Sequence, residues 1–506
     1  MSGESGDTKT TEFGKVRAAL WPIHGYEMKK FLPMSFMMFC ILFVYTLVRD
    51  LKDTLLVNAP GGGAKSIPAL KLYGVLPFAM IAVVVFGKLL GKFGSRKTFY
   101  ITVFSFLIFY AIFGFILYPI ANNIHLSEGW IKNMQKSTPG LFYEIWPLIG
   151  NWSFALFYII SEIWGSLVIS SLFWQFANQT TKKDEVKRFY GLFACVGNLG
   201  LICSGFFAKL STKFESIRVL MQMTGVLIVG LIIVYLYYYV NKNVLTDPKF
   251  YDPSQIKAKK KKAKLSLGES FKAIFKSGYL LLITILVVAY GVAINISEVV
   301  WKDQGKLFYG SSSKFNNMMA DLSIVTGIVT IIITLTCSNV LRKCKWKTAA
   351  LVTPISVLIL GGAFFLLIMQ ENNNGINSKI FGFVILELVV YVGLVQDAIS
   401  KGIKYSLFDS TKQMAYIPLD SELKTTGQAA VEVVGGRFGK SLGSIVITVL
   451  GFIFTGRELS SLVNILSGVL FLVVFSWIFS VFSLSKKYET LKEQRHKEDL
   501  QQKEEA

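Results

Sequence analysis

The chain keeps charged side chains where its neighbours are apolar. Lys401, Lys404, Lys424, Arg437 and Lys440 cluster in KGIKYSLFDSTKQMAYIPLDSELKTTGQAAVEVVGGRFGKSLGS, which joins two long apolar segments. Three more charges, Lys71, Glu162 and Glu298, sit within or beside other apolar runs. An ionisable group inside a bilayer is costly unless it is paired or faces a watery cavity. The cations suit an anionic substrate, because a lysine ammonium is a common point-charge partner for phosphate. In an empty site, Glu162 and Glu298 would neutralise such lysines until a phosphate displaced them. Aromatic side chains in the same interior offer stacking surface for a purine base. Two bland alternatives stay open on position alone: Lys71 snorkelling to the outer interface, and Glu162 in a structural ion pair.

Other chemistry finds no support. The five cysteines (Cys40, Cys195, Cys203, Cys337, Cys344) and three histidines (His24, His125, His496) lack metal-ligand spacing, and the cysteines are expected to be reduced. Gly439-Lys440-Ser441 ends like a phosphate-binding loop, but Val434 stands where the first glycine belongs. Asn58 to Ser66 has Ala64 in place of the needed glycine and no strand before it, so it is expected to be a flexible outer loop. The expectation is therefore no enzyme, no metal and no cofactor.

The elements that hold these charges are membrane helices. The 506 residues are 53% hydrophobic, with mean hydropathy +0.51. Apolar runs of about 20 residues recur from Phe31 to Leu484, each long enough to cross a bilayer. The fold class is all-α, a polytopic membrane protein with about twelve transmembrane helices. Helix 1 is placed at about 31–49, ending in RDLKD at the membrane edge. Helices 4, 7, 10, 11 and 12 are placed at about 146–177, 278–301, 380–407, 426–454 and 462–484. Helix 5, at about 189–210, carries Gly191, Gly197, Gly200 and Gly205, which let a membrane helix approach its neighbours closely.

The net charge of +21 resides largely in short loops, where it sets topology and gives no reason to expect nucleic acid. The Lys/Arg-rich loops follow helices 2, 4, 6, 8 and 10, which places them and both termini in the cytoplasm. The acid-containing first thirty residues fit neither a transit peptide nor a cleaved signal. The hydrophilic connector 241–268, with KAKKKKAK from Lys257, divides the chain into bundles at 31–240 and 269–485, flanked by an N-terminal segment 1–30 and a charged tail 486–506. It is expected to lie on anionic lipid. A short repeat supports the division: Glu162 precedes Ser171-Leu-Phe173 as Asp397 precedes Ser406-Leu-Phe408, each by nine residues. Two six-helix bundles are the arrangement of major facilitator carriers, whose substrate site lies between the halves near the midplane. Lys71, Glu162, Glu298, Arg437 and Lys440 are the groups placed to face it, with Lys401, Lys404 and Lys424 nearer the inner mouth.

Long motifs carry a more specific likeness: RDLKDTLLV from Arg49, SEIWGSLVISSLFWQFANQ from Ser161, NISEVVWK from Asn295, and KYSLFDSTKQMAYIPLD with GQAAVEVVGGRFGKS. Through these the chain resembles the nucleotide transporter family, the ATP/ADP translocases of obligate intracellular bacteria and plastids. The likeness covers nearly the whole chain, and NKNVLTDPKFYDPSQIK from Asn241 is similar to the rickettsial members. The resemblance implies exchange of internal ADP for external ATP by alternating access in a bacterial inner membrane, by a protein working as a monomer. It puts the family's key charges on Lys71, Glu162, Glu298 and Lys440. One departure is Leu442, where the family commonly has glycine beside the lysine. Alternatives are proton-coupled import of other nucleotides, a membrane enzyme acting on phosphorylated lipid, and a lipid-binding scaffold resting on KAKKKKAK.

Overall fold

The computed structural model describes residues 17, 21–138, 140, 142–251, 267–375, 377–380, 382–419, 421–454 and 458–504. Within its helices the side chains of 183, 184, 187, 267, 268, 270, 271, 273, 337–343, 421–426, 429, 432–438, 440, 495, 496 and 498–504 lie outside the description. An apolar chain in lipid must satisfy its backbone hydrogen bonds within itself, and the long runs do so as helices. Among the described residues, nine helical stretches are long and apolar enough to cross a membrane.

The first helix, α1, spans Met28–Val57. The stretch Ser66–Leu117 follows, 52 residues long. At about 1.5 Å per residue this is far more than one crossing of a hydrocarbon layer of about 30 Å. It breaks at Gly94, whose φ of 71° and ψ of 172° suit only glycine. The neighbours show that the chain reverses there. A Cβ on Gly74 would meet Ile159, and Gln175 donates to Ser95, so the leg before Gly94 runs parallel to the helix through 152–180. Phe113 stacks on Phe157 while Phe106 packs edge-on to Trp164, so the leg after it runs antiparallel. These legs are α2 (66–93) and α3 (95–117).

The helix at Trp152–Thr180 is α4. Next come α5 (Lys183–Thr212), α6 (Arg218–Asn243), α7 (Gly278–Tyr309), α8 (Ser312–Lys343) and α9 (Trp346–Asn374). A two-stranded hairpin pairs Lys379 with Val384 and leads into α10. That helix covers Ile385–Ile403, widens over Lys404–Phe408 and continues through Asp409–Ala415. The last two are α11 (Ser421–Ile453) and α12 (Val463–Glu504). Twelve rods result among the described residues, as expected; α10 carries too much charge to register as a span by composition, and in α11 the apolar stretch with described side chains is Ser441–Ile453.

Several boundaries differ from the sequence reading. The first helix does not stop at Arg49. It continues to Val57 because Asp50, Lys52 and Asp53 are buried against partners rather than lying at a membrane edge. Similarly, α12 runs on past Leu484 into the charged tail as one helix. The loop at 121–145 contains a helix at Glu128–Ser137 capped by Ser127, whose hydroxyl accepts from the Trp130 amide. Before α7 lies a short helix, Leu267–Lys276, packed on α11. Residues 252–266, most of the basic connector, lie outside the described residues.

Packing follows the glycines of α5. A Cβ on Gly200 would collide with the Phe39 carbonyl oxygen of α1, and one on Gly205 would lie 2.7 Å from the Ala320 carbonyl oxygen of α8. Gly327 returns the contact, 3.0 Å from the Asn198 carbonyl oxygen. Backbones this close gain dispersion contact without a hydrophobic driving force between helices. Cys40, Cys195, Cys203 and Cys344 are free thiols, while Cys337 has no described side chain.

Candidate functional site

A cavity of about 350 Å³ opens between helices from both ends of the chain. Its charged wall begins on α1, where Arg49, Lys52 and Asp53 sit on successive turns. Opposite them, α4 supplies Tyr158 and Glu162, and α7 supplies Asn295, Glu298 and Lys302. Lys71 of α2 and Lys401, Lys404 and Tyr405 of α10 complete the charged surface.

Wide π turns mark this wall. One begins at Lys71 (Lys71–Val75), one at Lys404 (Lys404–Phe408), and a third, Gly165–Phe173, follows Glu162. Such turns are rare in helices and concentrate at functional sites. The last two fall on the two arms of the short repeat, so a weak sequence match has a backbone counterpart.

The charges alternate in sign along one path. Glu162 Oε1 lies 2.9 Å from Lys52 Nζ, and Lys52 Nζ lies 3.2 Å from Asp53 Oδ1. Asp53 Oδ2 is 2.9 Å from Lys302 Nζ, which is 3.0 Å from Glu298 Oε1. Glu298 then reaches Lys401 at 3.5 Å, and Lys401 reaches Asp397 at 2.8 Å. The middle of the path is dry: Lys52, Asp53 and Lys302 are each 2% exposed, whereas Glu162 is 30% exposed. Lys52 also stands 3.5 Å over the Tyr158 ring, where the π face adds to its stabilisation. A buried ion pair offsets its desolvation only when further partners satisfy each charge, and Lys52, Asp53, Lys302, Glu298 and Lys401 each have a second one.

Beside the path, Arg49 pairs with Asp50 at 3.0 Å and donates to Ser323 of α8, which donates to Asp50 at 2.5 Å. Lys404 pairs with Asp409 at 3.1 Å. Lys71 differs from all of these. It is half-buried on the cavity wall and makes no ion pair within 4.0 Å to any described residue.

Of the residues singled out in the sequence, Lys71, Glu162, Glu298, Lys401 and Lys404 all line this one cavity. The side chains of Arg437, Lys440 and Lys424 lie outside the described residues. Their helix reaches the wall through Ser441, the residue after Lys440. Sequence reasoning missed Arg49, Lys52 and Asp53, which it assigned to a membrane edge, and gave Lys302 no role. A signal was present: Arg49 and Asp53, Glu298 and Lys302, and Asp397 and Lys401 are opposite charges four residues apart, on one helix face.

The described hydrogen bonds and ion pairs between α1–α6 and α7–α12 all fall at one end of the cavity. Lys306 donates to the Gly62 carbonyl oxygen at 2.9 Å, Arg218 to Ser312 at 2.9 Å, and Thr212 to Asn317 at 2.8 Å. Lys209 pairs with Asp321 on the same rim. At the other end each described pair stays within one set of six helices and its flanks: Lys30 with Glu185 at 2.7 Å and Arg188 with Glu27 at 2.6 Å in the first, Lys412 with Asp409 at 3.3 Å in the second.

The sequence profile of the TLC ATP/ADP transporter family matches residues 6–488. The chain belongs to that family. It is thus a multi-pass membrane transporter and not an enzyme. It is 41% identical to ADP,ATP carrier protein 1 of Chlamydia pneumoniae over 507 residues, 96% of this chain and 98% of that protein. It is 42% identical to ADP,ATP carrier protein 1 of Rickettsia bellii (strain RML369-C), covering 97% of this chain and 99% of that protein. Among solved structures, a D-xylose-proton symporter aligns with TM-score 0.58 at 13% identity, over 91% of this chain and 97% of the symporter. An auto-inhibited POT family peptide transporter aligns with TM-score 0.53 at 10% identity, over 92% and 96%. At such low identity these two establish the transporter's major-facilitator-like fold alone.

Proposed function

We propose that the transporter exchanges external ATP for internal ADP by alternating access, in a bacterial inner membrane with both termini cytoplasmic. The bundles are 31–240 and 269–485, joined by the basic cytoplasmic linker 241–268. Lys71 and Lys440 meet the phosphates with Arg437 assisting. Glu162 and Glu298 supply the countercharge, and Lys401, Lys404 and Lys424 draw the anion in. The observation that carries this reading is Lys71: an ammonium on the cavity wall with no described carboxylate in reach, beside a chain of satisfied pairs. A polyphosphate supplies the missing partner. With basic loops placed inside by the positive-inside rule, the cross-tied end is the outer one, and the cavity faces inward.

The test is uptake of labelled ATP into proteoliposomes loaded with ADP. Lys71→Ala and Lys440→Ala are expected to lose most uptake, and parental rates in both would refute the phosphate roles. If uptake needs no internal nucleotide and collapses with an uncoupler, the carrier is a proton-coupled importer instead.

A further inference from the structure

We infer that Asp53 and Lys302 form a latch that keeps the carrier from switching when it is empty, so that exchange stays coupled. The inference rests on the exchange reading above and adds two positioning residues to it.

The pair joins α1 to α7, one helix from each half, at 2.9 Å and 2% exposure on both sides. It is the dry centre of the cross-tied end. Separating it would strip Lys302 of one of its two carboxylates and leave Asp53 sharing Lys52 with Glu162. In a dry interior, separation without a replacement partner is strongly unfavourable. A polyphosphate changes the balance. Glu162 and Glu298 are the more exposed carboxylates of the path, at 30% and 17%, and each holds one cation of its centre. Phosphate oxygens at the cavity wall compete for Lys52 and Lys302 from that side and replace what separation removes. The loaded carrier then opens at the latched end, and the empty one does not. The ion pair Lys209–Asp321 bridges the same halves, but both side chains are 41% exposed, so water replaces either partner at little cost.

The experiment loads proteoliposomes of the full chain with labelled ADP and follows efflux with and without external ATP. The parent is expected to release label only when ATP is outside. A parent that shows no exchange refutes the functional reading, not the latch. Asp53→Asn and Lys302→Met are each expected to raise efflux without external nucleotide at least fivefold. Lys302→Arg is expected to stay coupled, and Asp321→Asn to behave as the parent. Asp53→Glu, which keeps a carboxylate between Lys52 and Lys302, is expected to stay coupled, and it decides the matter even where a neutral variant misfolds. Neutral variants that remain strictly coupled, or a folded Asp53→Glu that leaks as the neutral variants do, overturn the latch.

Discussion

At the scale of single residues, the described cavity wall carries two kinds of charge: those held in ion pairs, and Lys71, which makes no ion pair to any described residue. Removing a charge-assisted bond costs about 1.5–3 kcal/mol, so Lys71→Ala should lower uptake of sub-saturating ATP by roughly 10- to 100-fold. Lys132→Ala, which breaks an exposed pair with Glu128, should leave uptake unchanged. Lys401 is the first kind. Its loss leaves the 2%-exposed Asp397 without its ion partner, at a cost of roughly 3–5 kcal/mol. Thermal unfolding in detergent should therefore show Lys401→Met clearly less stable than the parent. The double variant with Asp397→Asn should recover part of the loss, and a double variant as unstable as the single would contradict the pairing. Lys71, Glu162 and Glu298 were legible in the sequence because each interrupts an apolar run. Asp53 was not, because RDLKD at the end of a run has the same pattern as a membrane-edge cluster. Only the partners on α4 and α7 distinguish the two, and those lie more than a hundred residues away.

At the scale of elements, the number and order of helices follow from apolar length, while their ends follow from tertiary partners. The first helix gained its last two turns from buried ion pairs, and α12 gained length from the helix-forming tail. The π turns at Lys71 and Lys404 were invisible in advance, since no residue type demands them. The glycines of α5 were legible, and they carry a direct prediction. Gly200 faces the Phe39 backbone, which cannot swing away as a side chain can. Gly200→Leu overpacks that contact, which typically costs about 1–3 kcal/mol and more against backbone. The expected outcome is a lower melting temperature and a broadened monodisperse peak, whereas Gly191→Ala, with open space around it, should melt as the parent does.

At the scale of the whole molecule, the two sets of six helices meet through the close α5–α8 packing and, across the cavity, through a charged path. That path is divisible: each half keeps its own pairs, Lys52 with Glu162 on one side and Lys401 with Asp397 on the other. The basic connector plays a different part. If KAKKKKAK only rests on anionic lipid, deleting 257–264 should change exchange by no more than about twofold, as loss of a screened surface attraction implies. Abolished exchange with Lys71 dispensable would favour a lipid-bound scaffold. The central claim is that a polyanion passes between the halves against another. The most direct measurement is labelled ATP uptake into proteoliposomes with and without internal ADP, for the parent and Lys71→Ala side by side. The account predicts uptake that requires internal ADP and is nearly lost in the variant. Uptake indifferent to internal ADP, or a variant as active as the parent, would contradict it.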